Sequence, residues 1–211
     1  MGITGRRAGL LEELKTLFPQ QIFTASFDVT STENERRLLL LINELGGLDL
    51  LIYNSGFGEP SDGLHVKTEL ATTLTNVTGC VEIAGLAFNY FLERGRGQIA
   101  ITSSVAALRG NGWAPAYSAS KAFASNYAEG LNVKAARLKK DIVITDIRPG
   151  FMATKMAKGH RRFWVAPPRK AAAQIMRAIE RKKRIAYITR RWRLVALLLK
   201  ALPFWLYCRI G

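Results

Sequence analysis

Leu48-Asp49-Leu50-Leu51-Ile52-Tyr53-Asn54-Ser55-Gly56 is the stretch on which the fold turns. Residues 48–53 form an apolar run of buried-strand length, and Asn54-Ser55-Gly56 stop it with turn-forming residues. A strand that is apolar on both faces needs cover on both sides, and parallel sheets obtain that cover from helices. The neighbouring segments provide them. Residues 34–45 read as a helix ended by Gly46-Gly47, and 68–92 is long enough for one long helix or two. Working outward, strand-like runs at 22–27, 98–102, 142–147 and 185–189 alternate with helical patterns at 123–138 and 170–181. This alternation predicts an α/β fold with a doubly wound parallel sheet.

The 211 residues are 48% hydrophobic and 22% charged, which suits one domain with a buried core and excludes global disorder. Cys80 and Cys208 cannot build a disulfide framework and point to a reducing, cytoplasmic setting. His65 and His160 are too few and too scattered to make a metal site with them. The formal charge is +15, and it is lopsided. Residues 1–133 hold 10 basic and 13 acidic side chains, net −3, whereas 134–211 hold 21 and 3, net +18. A uniformly basic nucleic-acid binder does not fit that asymmetry, and no helix-turn-helix, zinc spacing or RNA-binding motif is present.

Ligands of open α/β sheets sit beyond the carboxyl ends of the strands. Small, polar and glycine residues collect at four such ends: Asp28-Val29, Asn54-Ser55-Gly56, Ser103-Ser104 and Arg148-Pro149-Gly150. At any one end they read equally well as turn residues; four together point to a site. The sharpest motif is Tyr117-Ser118-Ala119-Ser120-Lys121, in which Tyr and Lys four apart share one side of a helix. A phenol titrates near 10, too high for acid–base work at neutral pH, and a nearby ammonium lowers it by favouring the phenolate. Alone, the pattern is as well explained by an amphipathic helix with an exposed lysine.

Its context resembles the short-chain dehydrogenase/reductase family. The matching elements are Asn54-Ser55-Gly56 (Asn-Ala-Gly is usual there), Asn76-Val77, Ile101-Thr102-Ser103-Ser104, Tyr117-Ser118-Ala119-Ser120-Lys121, Pro149-Gly150 followed by Thr154, and Asp28-Val29-Thr30 near the adenine position. The resemblance covers roughly residues 1–190 and implies a Rossmann-like fold. It implies that Tyr117 is the general acid/base and that Lys121 lowers its pKa and holds the nicotinamide ribose. Ser104, thirteen residues before Tyr117, would polarise the substrate carbonyl in preference to Ser103. Asn76 would hold a water linking Lys121 to solvent. Asp28 and Val29 would flank the adenine, Asn54 and Gly56 line the cofactor cleft, and Pro149, Gly150 and Thr154 sit by the carboxamide. Enzymes of this type that use NAD usually carry an acid after the second strand, whereas arginine accommodates a 2′-phosphate. Here Gly5 stands at that point and Arg6-Arg7 follow, so NADP(H) is expected over NAD(H).

The resemblance also implies a first strand and a Thr-Gly-x-x-x-Gly-x-Gly phosphate loop. Thr4-Gly5-Arg6-Arg7-Ala8-Gly9 is rejected as that loop, because position 11 is Leu11 and too few residues separate Gly9 from Asp28. Residues 2–5 are instead read as the end of the second strand. The expectation is therefore a Rossmann-like sheet incomplete at its N-terminus, with unpaired strand edges, weak NADP(H) binding by the chain as written, and a native chain that starts upstream. An intact mass matching 211 residues would argue against the longer chain. The division expected is 1–190 for the dehydrogenase-like domain and 191–211 for a basic, apolar C-terminal helix.

That tail couples Arg181-Lys182-Lys183-Arg184 and Arg190-Arg191-Trp192-Arg193 to the apolar run 194–208, which is too short and too interrupted, by Lys200 and Pro203, to span a bilayer. With Trp192, Trp205 and Tyr207 near its ends it fits a peripheral membrane contact through 181–208, or a helix packed on its own domain or on a second subunit in a homo-oligomer. Phe151, Met152, Met156, Phe163 and Trp164 in the segment 151–168 favour a lipophilic ketone, aldehyde or alcohol, while Lys155, Lys158, Arg161 and Arg162 are open to an acidic group or to solvent. The activity expected is carbonyl–alcohol interconversion by hydride transfer. The alternative is a truncated, catalytically impaired homologue acting as a membrane- or partner-binding protein.

Overall fold

The structure, a computed structural model, describes residues 1–60, 62–154 and 163–209. Strands and helices alternate: β1 (Gly2–Gly5), α1 (Ala8–Leu17), β2 (Phe23–Ser26), α2 (Asn34–Glu44), β3 (Leu50–Tyr53), α3 (Val66–Thr73), α4 (Gly79–Arg94), β4 (Arg96–Thr102), α5 (Pro115–Arg137), β5 (Asp141–Pro149), α6 (Pro168–Glu180), β6 (Ile185–Ile188), α7 (Trp192–Ala201) and α8 (Phe204–Tyr207). All strand pairs are parallel. β3, β4, β5 and β6 form one sheet in that order, and β1 pairs with β2 in a second, two-stranded one. Among the described residues no ladder joins β1 to β3, so the expected sheet is present in two pieces. Near these unpaired strands Ile52, Leu39 and Leu40 are exposed, as are Leu10, Leu14, Leu17 and Phe18 around α1.

The two faces of the four-stranded sheet carry separate cores. Because side chains alternate along a strand, Ile99 and Ile101 of β4 and Ile142 and Ile144 of β5 face one way, toward Cys80, Ile83, Phe88 and Phe91 of α4 and Ala124, Ala128 and Leu131 of α5. Ala100 and Ile147 face the other way, toward Ala171, Ala178 and Ile179 of α6. Burial of a side chain such as Phe91 stabilises the fold by about 1.5–3 kcal/mol. The small residues on the inner side of α5 let that helix lie close against β5.

Residues 66–94 run as one helix, with a π turn at Leu74–Thr78 joining α3 to α4. By length and hydropathy alone this run would cross a bilayer, but Cys80, Ala84, Ala87, Phe88 and Phe91 are buried in the core beneath the sheet. Two helix boundaries differ from the sequence reading. α5 begins at Pro115, not at 123, because Pro at the first helical position starts a helix readily and the following residues are small rather than apolar. The apolar tail is two helices, since Pro203 ends the first and opens the second.

Candidate active site

The carboxyl ends of the strands gather the candidate residues on one edge of the sheet. α5 follows the end of β4 after a 3-10 turn at Val105–Leu108, which places Tyr117 and Lys121 in its first two turns. Ser104 caps the 3-10 turn, its Oγ accepting from the Ala106 amide at 3.1 Å, and its hydroxyl lies near enough to the Tyr117 phenol to favour the phenolate. Ser103 continues the inward side of β4 instead. It is fully buried and donates to Asp146 and to the Ile147 carbonyl. Of the two serines, Ser104 is the one beside Tyr117.

Lys121 is buried, and its Nζ donates to the Thr102 carbonyl at 2.8 Å while lying 5.7 Å from the Tyr117 ring centre. Burial pulls its pKa down from 10.5 to about 8, against the opposing influence of Cys80 and Asp146. The effect expected of Lys121 on Tyr117 is not what this fold provides. Burial raises the Tyr117 phenol above its usual value, and the opposing influence is the Ser104 hydroxyl. The Lys121 ammonium is committed to the Thr102 carbonyl, and burial of the phenol dominates.

Asn76 sits in the π turn, with its Oδ1 accepting from the Phe57 amide at 2.7 Å and its Nδ2 donating to the Phe57 carbonyl and to Ser120 Oγ, each at 2.8 Å. Both amide hydrogens are therefore committed to protein partners. Asn76 pins the loop after β3 to α5. That loop runs close under the site: a Cβ at Gly56 would stand 3.2 Å from Lys121 Nζ, and one at Gly58 would overlap the Tyr117 side chain. Thr102 Oγ1 donates to Asn54 Oδ1 at 3.0 Å, which fixes Asn54 at the same edge.

Beneath α5 lies a polar network that the sequence reading does not anticipate. Asp146 of β5 is buried and accepts from Ser103, from Ser125 of α5 at 2.6 Å and from Arg148 Nε at 2.6 Å. Arg148 donates onward to Ser125 at 2.6 Å and to the Tyr187 hydroxyl of β6 at 3.0 Å. The network ties the ends of β4, β5 and β6 to α5. An acid in the interior of an otherwise apolar strand was the available signal, because a buried carboxylate needs such partners.

At the other end of the edge, Arg6 NH1 reaches Asp28 Oδ2 at 3.4 Å, so the ends of β1 and β2 bring together two residues assigned to the cofactor. Burial acts to raise the Asp28 pKa, but the amide and hydroxyl of Thr30 and the Arg6 guanidinium outweigh it, and the pKa falls. Arg7 precedes α1 and is exposed. The Val29 carbonyl accepts from Asn34 Nδ2 at 2.8 Å, which holds Val29 by the start of α2. Pro149 ends β5, the Gly150 amide donates to the Ile188 carbonyl at 2.7 Å, and Thr154 lies exposed beyond them.

Phe151, Phe163, Trp164 and Trp192 form an aromatic cluster beside Gly150, with Phe163 and Trp192 ring centres 5.0 Å apart. Trp192, for which the sequence allowed either a membrane-side or a packed position, is 4% exposed, because α7 turns it into this cluster. A Cβ on Gly150 would overlap its indole. Lys155, Met156, Lys158, His160, Arg161 and Arg162 lie outside the described residues. A cavity of about 520 Å³ opens on the other side of the first turns of α5, lined by Leu108, Gly110, Asn111, Pro115 and Ala122, away from Ser104 and Lys121.

A family model described as short chain dehydrogenase matches residues 3–163. An uncharacterized oxidoreductase of Myxococcus xanthus is 32% identical over 162 residues, which cover 72% of this chain and 62% of the relative. The chain thus spans about three fifths of that relative's length. Among solved structures, actinorhodin polyketide ketoreductase with NADPH is 27% identical at a TM-score of 0.68, covering 74% of this chain and 62% of that one. A short chain dehydrogenase from Bacillus anthracis superposes at a TM-score of 0.78 with 22% identity, covering 88% of this chain and 83% of its own, a likeness of fold.

Proposed function

This chain belongs to the short chain dehydrogenase family, and from that premise we propose that it serves an NADP(H)-dependent oxidoreductase that interconverts a carbonyl and an alcohol on a lipophilic substrate. The observation that carries the reading is the meeting of Ser104 with Tyr117 above a buried Lys121, at the end of β4. The residues present fit a dinucleotide along the strand ends: Gly56 leaves free the space a side chain would fill beside Lys121 Nζ and Asn76 Oδ1, and Arg6 offers a largely exposed guanidinium at the end of β1. Arg6 and Arg7 would hold a 2′-phosphate, with Asp28 and Val29 at the adenine, Asn54, Gly56 and Lys121 along the ribose side, and Pro149, Gly150 and Thr154 at the carboxamide. NADPH in the similar ketoreductase supports the same choice of coenzyme. When bound, the nicotinamide supplies or accepts the hydride.

The chain's own residues handle the proton. Ser104 donates to the substrate oxygen and holds it in reach of the Tyr117 hydroxyl. Tyr117, kept protonated by its buried setting, gives its proton to that oxygen in reduction and takes one back in oxidation. Lys121 charges and discharges close to neutral pH, which suits it to resupply the site. Phe151, Phe163, Trp164 and Trp192 offer the carbon skeleton an aromatic wall and keep water from the reacting atoms.

The test is the native protein with NADPH against a panel of apolar ketones and aldehydes, beside Tyr117→Phe. Turnover should fall by about 10²–10⁴-fold in the variant, with NADPH binding retained. Activity that survives Tyr117→Phe, or equal catalytic efficiency with NADH, would count against the reading.

A further inference from the structure

α7 and α8 carry a surface that the oxidoreductase reading does not use. On α7, Trp192 and Ala196 face inward, while Leu194, Leu197 and Leu198 recur at helical spacing on the outer side. Phe204 and Trp205 of α8 prolong the apolar surface, and these five side chains are 60% to 75% exposed. The platform is held firmly from beneath. Arg109 NH1 donates to the Leu199 and Leu202 carbonyls at 3.0 and 2.8 Å, closing the free end of α7, and its guanidinium lies 4.4 Å from the Tyr207 ring centre. The Tyr207 hydroxyl donates to the Gly110 carbonyl at 2.7 Å. Tyr207 is thus a tether, and Trp205 is the outward aromatic.

Charge decides what this face meets. Residues 181–211 contain nine Lys and Arg and no Asp or Glu. Arg190, Arg191 and Arg193 at the start of α7, Lys200 near its end and Arg209 after α8 are all exposed. Among the described residues, no carboxylate lies within ion-pair distance of Arg190, Arg193 or Lys200. A second copy of the chain docked through the same face would set like charges against one another. A nucleic acid would satisfy the arginines and leave five large apolar side chains in water. An anionic bilayer meets both demands at once, with headgroup phosphates for the cations and an acyl boundary for Leu194, Leu197, Leu198, Phe204 and Trp205. We propose that α7 and α8 form a peripheral docking surface for anionic lipid membranes.

The test is co-sedimentation of the full chain with phosphatidylcholine vesicles, alone or with roughly a third phosphatidylserine. Anionic vesicles should bind at least about tenfold more protein, and raising the salt should reverse most of that gain. Leu197→Ser with Leu198→Ser, and separately Arg193→Gln with Lys200→Gln, should each cut binding at least about tenfold while thermal unfolding stays unchanged, since these side chains are exposed. Brominated lipid should quench tryptophan emission, and Trp205→Phe should remove that quenching. Equal binding to neutral vesicles, binding indifferent to both variant pairs, or no binding together with self-association that the leucine pair dissolves would each overturn the proposal. NADPH takes no part in these assays, so failure of the oxidoreductase reading would leave their outcome untouched.

Discussion

Replacing Lys121 by Met should make the protein more stable near neutral pH and less stable in alkali. Burial lowers the lysine from 10.5 to about 8 in the folded chain, which at about 1.36 kcal/mol per pH unit costs about 3 kcal/mol while the ammonium is kept. Methionine removes that penalty but forfeits the bond to the Thr102 carbonyl, worth about 1 kcal/mol. Lys121→Met should therefore gain about 2 kcal/mol at pH 7. Between pH 8 and 10.5 the unfolded lysine still binds a proton that the folded one has lost. Unfolding then takes up a proton, so the parent protein gains stability on the variant as pH rises. Above pH 10.5 the sign of the difference should reverse. Cys80, pushed up to about 12 by burial, and the raised phenols of Tyr53 and Tyr117 hold protons in the folded state and weaken both proteins in alkali. The difference between the two urea-unfolding curves, taken at several pH values, removes that common trend. A difference that stays flat from pH 7 to pH 10.5, or a variant already weaker at pH 7, would refute the reasoning.

Asp146→Leu leaves the Arg148 guanidinium enclosed without its anion and should destabilise by about 3–5 kcal/mol. Adding Arg148→Met should restore most of that loss in urea titrations; additive losses would show that the pair is not coupled. Gly150→Ala drives a methyl into Trp192 and should cost about 1–3 kcal/mol, with a shift in tryptophan emission as the check. Arg109→Ala frees the Leu199 and Leu202 carbonyls, and amide exchange across 199–208 should speed up while the sheet stays protected.

The strands were legible because a strand buried on both faces is written mostly in apolar residues, and 48–53, 98–102 and 142–147 are so written apart from a few polar positions such as Asp49 and Asp146. The start of α5 was not, since its inner face is built from Ser118, Ser120, Ala124 and Ala128, and close packing of small side chains leaves no hydrophobic periodicity to read. Tyr117, Lys121 and Ser104 could be named because the motifs that carry the family resemblance are tied to spacing along the chain. Asp146 and Gly58 act through contacts with residues distant in sequence, which spacing does not record. Trp192 stays open for a similar reason: an aromatic beside three arginines fits an interfacial or a packed helix until the direction of α7 is known. The charge of the final thirty residues was plain from the outset, but which side chains of the tail face outward was settled only by the helices.

The π turn at Leu74–Thr78 bears on which insertions and deletions this chain can accept. Such a turn holds one residue more than regular α-helix, and one residue is about 100° of rotation. Glu69, upstream, accepts from the Ala116 amide at the start of α5, while Cys80, Ile83 and Ala87, downstream, face the sheet. Loss of a single residue between them would give the helix better internal hydrogen bonds, yet only one of those two faces could then stay docked. A deletion that improves the helix as an isolated object would thus dismantle the protein around it, and tolerated length changes should fall in the surface connections instead.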